Sequence, residues 1–385
     1  MEKVFRIYLI ILFVDFYVTG NAQTTLLCDT VPYDIIEGKM VITAETESKP
    51  VRYILDTGGR NLITTDSAHY YHVGIVGNEA VADVNNKGRS MYKGVLPNLK
   101  IGKTIELQNV NMLVMPPQNY FRAMGVAGAL GSEAFTDVCV SIHSREKYLI
   151  VTYPFRPKGI SRKDGTPMNM TNNRQPLIPV QVSGITIHAL FDTGMSGFLH
   201  LNDTDYETLK KAGNYELIAH GSGLWFVGVG GVNDIHNNVA DKITVSDWRV
   251  TTKRFINAGT LTQNRHISIV GLGLIEYGNV ILDYPRGLFY YFPFDNQTDD
   301  LSAKTKIWNV NILPVDDHFE VTGTLGEIDV KRNERVWNIN GTDLKNMPPS
   351  ELLITDILNN IKEDTAHILV GIDADNPRKV IIKRI

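Results

Sequence analysis

The chain has 385 residues, of which 43% are hydrophobic, so it is long enough for two or three domains with buried cores. Its 38 basic and 42 acidic residues give a formal net charge of −4. This near balance gives no reason to expect nucleic acid or an anionic membrane as a partner. The sequence has two cysteines and neither a Cys-x-x-Cys nor a His-Glu-x-x-His pattern, so it gives no support for a metal site.

Residues 1–22 have the layout of a secretory signal peptide. Lys3 and Arg6 precede the apolar run 7–14, and Gly20-Asn21-Ala22 supplies small residues for cleavage. An uncleaved anchor would need about 20 unbroken apolar residues, which the chain does not contain. The sequence therefore predicts a secreted or periplasmic protein with no membrane span after signal removal. A lipid anchor at Cys28 is a minor alternative, because leucines stand where a small residue normally precedes a lipidated cysteine.

Two Asp-Thr-Gly motifs, at 56–58 and 192–194, each follow an apolar strand. A strand buried on both faces would place its following carboxylate at the rim of a hydrophobic core, where an isolated charge is costly. The threonine supplies a hydroxyl that can bond to a partner strand, and the glycine lets the backbone turn close beneath the acid.

The surroundings of the two motifs also match. Each acid is preceded by two strands joined by a short turn, and each is followed by an apolar pair and a polar helix start. Farther on, each half has two apolar residues and a glycine, Gly128 or Gly271, and then a strand-turn-strand segment. Such agreement over two long segments indicates an internal duplication.

These paired features resemble those of the aspartic proteases of the pepsin and retropepsin superfamily, with both lobes in one polypeptide. The resemblance implies a mainly β fold, a bilobal double barrel with pseudo-twofold symmetry. The expected divisions are lobe 1 at 30–155, an interlobe linker at 156–175 and lobe 2 at 176–294.

In that family the two aspartates form a catalytic dyad, so the resemblance implies that Asp56 and Asp192 together activate a water molecule. Two carboxylates that share one site cannot both ionise comfortably, and the pair therefore keeps one proton. The reaction needs no cofactor, and because both acids belong to one chain we expect a monomer to suffice. The supporting residues implied by the motifs are Thr57, Gly58, Thr193, Gly194 and Ser196.

Arg60 departs from the family pattern, because a hydroxyl or an acid is usual at its position after the first motif. A cation near the dyad would favour ionised carboxylates and lower its titration range. Alternatively, Arg60 points outward to a surface acid. The sequence does not decide between these two placements.

A hairpin is predicted from 79–84 and 89–96, joined by a turn-rich tip that ends at Gly88. By resemblance this hairpin is the flap that closes over a bound peptide. The second lobe has a counterpart at 224–231, which places Trp225 and Phe226 among the candidate substrate residues. An ordinary strand with a glycine turn is the alternative for this counterpart.

Residues 307–385 resemble a PDZ domain with an α+β fold, chiefly through 336–341 and the predicted helix at 350–361. The resemblance implies a peptide ligand, with 323–326 as a candidate carboxylate-binding loop. An ordinary hairpin turn is equally compatible with this glycine-containing segment.

Two questions remain open at the level of the sequence. Cys28 and Cys139 could pair in an exported protein, or Cys139 could be a free thiol buried in a strand. The predicted function is an exported aspartic endopeptidase that hydrolyses peptide bonds in a peptide or protein substrate and carries a PDZ-like module for recruitment. The alternative is a noncatalytic peptide-binding protein on the same scaffold.

Overall fold

The computed structural model describes residues 26–47, 49–82, 88–225, 239–262, 266–373 and 375–385. The predicted signal peptide and Phe226 lie outside these residues. The fold is mainly β, as the sequence predicts, with two similar lobes followed by a small α+β domain. No helix within the described ranges has the length and apolar character needed to cross a bilayer.

The first lobe extends from 27 to 153. Its strands are β1 (Leu27–Ile36), β2 (Lys39–Thr46), β3 (Lys49–Asp56), β4 (Leu62–Thr64), β5 (Gly74–Ala82), β6 (Gly88–Ile101), β7 (Ile105–Met115), β8 (Gly128–Gly131), β9 (Cys139–His143) and β10 (Tyr148–Tyr153). Two short helices, α1 (Thr65–Tyr70) and α2 (Asn119–Met124), and a 3-10 turn at Ser132–Phe135 connect them. The hydroxyl of Thr64 accepts a hydrogen bond from the Ser67 N–H, which starts α1 at the predicted place.

The second lobe repeats this layout. Its strands are β11 (Thr166–Pro167), β12 (Asn169–Met170), β13 (Pro176–Val182), β14 (Ile185–Asp192), β15 (Leu199–His200), β16 (Tyr215–Ala219), β17 (Gly221–Gly223), β18 (Lys242–Val250), β19 (Lys253–Leu261), β20 (Ile269–Gly271), β21 (Gly278–Asp283), β22 (Leu288–Pro293) and β23 (Asp299–Asp300). Its helix α3 (Asp203–Ala212) is capped by Asn202, and 3-10 turns occur at Arg162–Asp164, Leu272–Tyr277 and Tyr284–Arg286.

The segment predicted as an interlobe linker, 156–175, takes part in the sheets. Its strand β11 pairs with β22, and β12 pairs with β13. Both of these strands are only two residues long, and Met168 alone separates them.

Parallel pairing with a second strand positions each acid. β3 lies beside β8 with Asp56 opposite Gly131, and β14 lies beside β20 with Asp192 opposite Gly271. The sequence comparison matched Gly271 with Gly128, but Gly128 lies three residues earlier in the register, opposite Tyr53. That match was wrong because the order of apolar and small residues does not fix strand register, whereas main-chain pairing does.

The two lobes share one antiparallel sheet. β9 of the first lobe pairs with β21 of the second, with Val140 opposite Leu282. Their buried side chains merge into a single apolar cluster that also contains Phe191 from the strand before Asp192. A common core of this kind holds the lobes in one fixed arrangement.

Cys28 and Cys139 are both free thiols, the first exposed and the second buried. They lie on β1 and β9, with β10 between them. Two strand spacings separate positions on such strands by roughly 10 Å, which is beyond the reach of a disulfide.

The C-terminal domain contains β24 (Val310–Val315), β25 (His318–Leu325), β26 (Arg335–Ile339), β27 (Thr342–Asp343), α4 (Glu351–Asn360), β28 (Thr365–Gly371) and β29 (Arg378–Lys383). These elements enclose an apolar cluster of their own. The resemblance of this domain to PDZ domains stays a prediction.

The C-terminal domain contacts both lobes. β17 of the second lobe adds to its sheet by pairing with β25, and α4 contacts α2 of the first lobe. The segment 323–326, which the sequence left open between a carboxylate-binding loop and a hairpin turn, is the end of β25 and a turn after it. Gly323, Thr324 and Leu325 are paired with residues 221–223.

Candidate active site

The two Asp-Thr-Gly loops are joined by a crossed set of hydrogen bonds between their threonines. The Thr57 hydroxyl donates to the Phe191 carbonyl over 2.7 Å, and the Thr193 hydroxyl donates to the Leu55 carbonyl over 2.7 Å. In return, each hydroxyl accepts from the opposite threonine N–H, at 3.0 and 3.1 Å. Because both threonines are buried, these four bonds are shielded from water and fix the two loops against each other.

The glycine of each motif lies directly beneath the acid of the other motif. A Cβ atom at Gly58 would fall 2.2 Å from Cγ of Asp192, and one at Gly194 would fall 2.6 Å from Cγ of Asp56. Neither position has room for a side chain, so glycine is required there for steric reasons. The close approach brings the two carboxyl groups within hydrogen-bonding distance of each other.

Asp56 lies beside a second carboxyl group, and this neighbour affects its ionisation. Burial and the adjacent Asp192 carboxylate raise the pKa of Asp56 well above its usual value, while Lys39 and the Gly59 N–H counteract part of that rise. The Gly194 N–H donates to Oδ1 of Asp192 over 2.7 Å. Both aspartates keep part of their surface open to solvent, so water can reach the pair.

Arg60 forms ion pairs with two glutamates. Its Nη1 lies 2.6 Å from Oε1 of Glu79 on β5, and its Nε lies 2.5 Å from Oε1 of Glu133. The second of the two placements that the sequence left open, in which Arg60 pairs with an acid, therefore describes the structure. This pairing lowers the pKa of Glu79 and links the hairpin of β5 and β6 to the loop that follows Asp56.

The sequence did not predict several residues that lie near the dyad. Lys39 and Gln175 donate hydrogen bonds to the carbonyls of Gly194 and Gly58, each reaching into the opposite lobe. Behind the loops, the Ser132 hydroxyl donates to the Thr57 carbonyl over 2.8 Å and also contacts the Tyr284 hydroxyl at 2.9 Å. Comparison of the duplicated halves could have found Lys39 and Gln175, because each lies two residues before matching strand positions, Val41 and Leu177.

The structure also describes three further candidate residues, Ser196, Gly88 and Trp225. Ser196 is exposed and lies beside the β1–β2 turn, where a Cβ at Gly38 would come within 3.0 Å of its own. Gly88 is the first residue of β6, opposite Ala82. Trp225 lies against Gly323 of the C-terminal domain, with its indole nitrogen 2.8 Å from where a Cβ would stand. A substrate-covering role for Gly88 and Trp225 stays a prediction.

Comparison with known proteins agrees with part of this description. Residues 42–134, which include the first Asp-Thr-Gly motif, match the family model for aspartyl proteases. No curated protein sequence matches the chain.

Solved structures with a related outline include two basic 7S globulins. Conglutin gamma, a basic 7S globulin from lupine seeds, is 12% identical with a TM-score of 0.42 over 70% of this chain and 96% of its own. Basic 7S globulin from soybean is 9% identical with a TM-score of 0.41 over 71% and 96%. A protein named edgp is 10% identical with a TM-score of 0.40 over 72% and 96%.

The family match and the geometry concern the same residues. The matched region contains Asp56 and its glycine partner Gly131, and the duplicated second lobe adds Asp192 opposite Gly271. Residues 42–134 are therefore similar to an aspartyl protease domain, and the chain carries a second copy of its acid-bearing motif.

Proposed function

We propose that this protein is an exported aspartic endopeptidase. The observation that carries the proposal is the hydrogen-bonded pair of Asp56 and Asp192, open to solvent and held by the crossed threonine bonds. A carboxyl pair that shares one proton contains both a base and an acid at the same place, which is what hydrolysis of an amide requires. Residues 1–22 provide the signal for a secreted or periplasmic location.

In the proposed reaction, the ionised carboxylate removes a proton from a bound water while the oxygen of that water attacks the peptide carbonyl carbon. The protonated carboxyl donates its proton to the carbonyl oxygen, which gives a neutral tetrahedral diol. The C–N bond then breaks, the nitrogen takes a proton from the dyad, and one hydroxyl of the diol returns a proton to the dyad. The products are a carboxylic acid and an amine, and the pair again holds one proton.

Substrate is proposed to bind as an extended strand in the cleft between the lobes, with main-chain hydrogen bonds for affinity and side-chain pockets for preference. The hairpin of β5 and β6 carries Glu79 and, through Arg60, is attached to the loop that bears Asp56. A peptide under this hairpin would therefore contact an element that the Arg60–Glu79 ion pair connects to the loop bearing Asp56. The PDZ-like domain is proposed to recruit or orient peptide partners.

The test is cleavage of an unfolded protein between about pH 3 and pH 8, with and without an inhibitor that mimics the tetrahedral intermediate. Asp56→Asn and Asp192→Asn should each abolish cleavage while the fold is retained. Asp34→Asn removes an exposed carboxylate of the same lobe, at 77% side-chain exposure, and should leave cleavage unchanged.

Two results would reject the endopeptidase. Turnover that survives in either dyad variant would exclude this mechanism. A wild-type protein that binds peptides across the pH range and cleaves none would support the noncatalytic peptide-binding function instead.

A further inference from the structure

Lys39 and Gln175 occupy the same position in the two halves of the duplication. In the first half Val41 is paired with Ile54, two residues before Asp56, and in the second Leu177 is paired with Leu190, two residues before Asp192. Lys39 and Gln175 each precede that paired strand residue by two positions. The pseudo-twofold axis that relates the acids therefore also relates these two side chains.

Each of these side chains crosses to the opposite lobe. The Lys39 ammonium donates to the Gly194 carbonyl, and the Gln175 amide donates to the Gly58 carbonyl. Both are partly buried, so these hydrogen bonds form where water competes weakly. The two threonines form one crossed set of hydrogen bonds between the loops. Lys39 and Gln175 form a second crossed set.

The carbonyls that they hold belong to the glycines beneath the acids. Gly194 packs under Asp56 and, through its N–H, donates to Asp192. When both the carbonyl and the N–H of this residue are fixed, the loop cannot rotate without moving an acid. In the first motif Gly58 packs under Asp192 and its carbonyl accepts from Gln175, while the N–H that bonds to Asp56 belongs to the next residue, Gly59.

The two side chains differ in charge. Within the described part of the chain, the charged groups that act on Asp56 are Asp192 from β14 and Lys39 from β2. Arg60 is engaged by Glu79 and Glu133. Lys39 therefore supplies a positive charge to one side of the aspartate pair, whose surroundings are otherwise nearly symmetric.

We propose that Lys39 and Gln175 are paired positioning residues for the dyad, and that the charge of Lys39 confines the dyad to an acidic working range. This inference rests on the proposed endopeptidase function for its meaning in catalysis. A neighbouring cation favours the ionised carboxylates, so each proton is lost at a lower pH than it would be without Lys39. The singly protonated form is then most abundant at a lower pH.

The charge is tested by Lys39→Gln, which replaces the ammonium donor with an uncharged amide donor and places the residue of the second lobe in the first. Carboxyl carbon NMR of the full-length protein should show both titration steps of the dyad moved to higher pH by about one unit. The pH profile of kcat/KM should move in the same direction. Gln175→Lys should move both steps to lower pH, and Lys103→Gln, which removes an exposed charge of the same lobe, should move neither.

The hydrogen bond is tested by Gln175→Met, which changes no charge. The two titration steps should approach each other because the acids separate, and kcat should fall about tenfold with KM little changed. Gln181→Met, at an exposed site on the same strand β13, is the matched control.

The inference is overturned if Lys39→Gln leaves the titration steps in place, if Lys103→Gln moves them equally, or if Gln175→Met behaves as Gln181→Met does. These titrations require no turnover. A wild-type protein without peptidase activity would therefore contradict the proposed function, while the NMR result would still decide whether Lys39 and Gln175 position the dyad.

Discussion

Single side chains at this site act in pairs, and each member contacts the opposite lobe. Thr57 and Thr193 satisfy buried backbone groups of the partner loop, and Gly58 and Gly194 leave space for the partner acid. Such interactions cost more to break than an exposed hydrogen bond, because the group left behind is buried and unpaired. Changes at these positions should therefore affect both stability and the geometry of the dyad.

Thr57→Val should destabilise the protein by about 3 kcal/mol, because the Phe191 carbonyl and the Thr193 N–H both lose a buried partner. Thr57→Ser keeps the hydroxyl and should lose less than about 1 kcal/mol. Denaturant unfolding of the two variants measures the difference. Equal stability of the valine and serine variants would contradict the importance of the crossed bonds.

Gly194→Ala should reduce kcat/KM at least about 100-fold, because the new Cβ would displace the Asp56 carboxyl group. The same steric conflict should also lower the melting temperature, because the loops around Gly194 are tightly packed. Gly74→Ala is the control, since the nearest atom to its Cβ would be 4.0 Å away. Cleavage that persists unchanged in Gly194→Ala would refute the close packing described here.

Secondary-structure elements around the site are connected through Arg60. Its guanidinium joins Glu79 on β5 to Glu133 in the 3-10 turn after β8, and Lys93 on β6 lies 3.9 Å from the same Glu79. Arg60, in the loop after Asp56, therefore pairs with both the hairpin and the 3-10 turn after β8. The consequence is a hairpin whose base is fixed relative to Asp56.

Arg60→Met should destabilise the protein by about 1 kcal/mol, in a way that depends on pH. Arg60 holds the pKa of Glu79 below its ordinary value of 4.5, so the stabilisation is present above that value and is lost as the pH falls through the lowered pKa. Wild type and variant should therefore differ most near neutral pH and converge in acid. Urea unfolding at several pH values checks this, and a constant difference would indicate a packing effect instead.

The three parts of the molecule are joined by strand pairing across domain boundaries. β9 and β21 connect the lobes, and β17 with β25 connects the second lobe to the C-terminal domain. At the second junction Gly223 has a φ of +107° and would bring a Cβ within 2.2 Å of the Thr322 carbonyl. Glycine is required there both by the backbone conformation and by the close approach of the two strands.

Gly223→Val should release the C-terminal domain from β17. Since that domain has its own apolar cluster, we expect it to remain folded and to unfold as a separate calorimetric transition. Ser222→Ala keeps the backbone pairing with Thr324 and should retain the wild-type transition. Identical unfolding of Gly223→Val and wild type would mean that the pairing does not couple the domains.

Short-range sequence patterns in this chain predict its strands and helix starts well. Apolar residues before each acid predicted strands with both faces covered, and Ile54, Leu55, Leu190 and Phe191 are all buried. The polar helix starts predicted at 65–66 and 202–203 agree with α1 and α3, whose first turns are capped by Thr64 and Asn202. The repetition of these local signals indicated an internal duplication, and the resemblance to aspartic proteases implied the two-lobed, mainly β fold.

What the sequence by itself determined is the strands, the helix starts and the duplication that places one acid in each half, because such features depend on neighbours within a few positions. Only the tertiary structure decided that Gly131 is the partner of Asp56, that Arg60 pairs with Glu79, and that Lys39 and Gln175 cross between lobes. Those contacts join residues far apart in the chain, and register and long-range packing, which no local pattern encodes, select them.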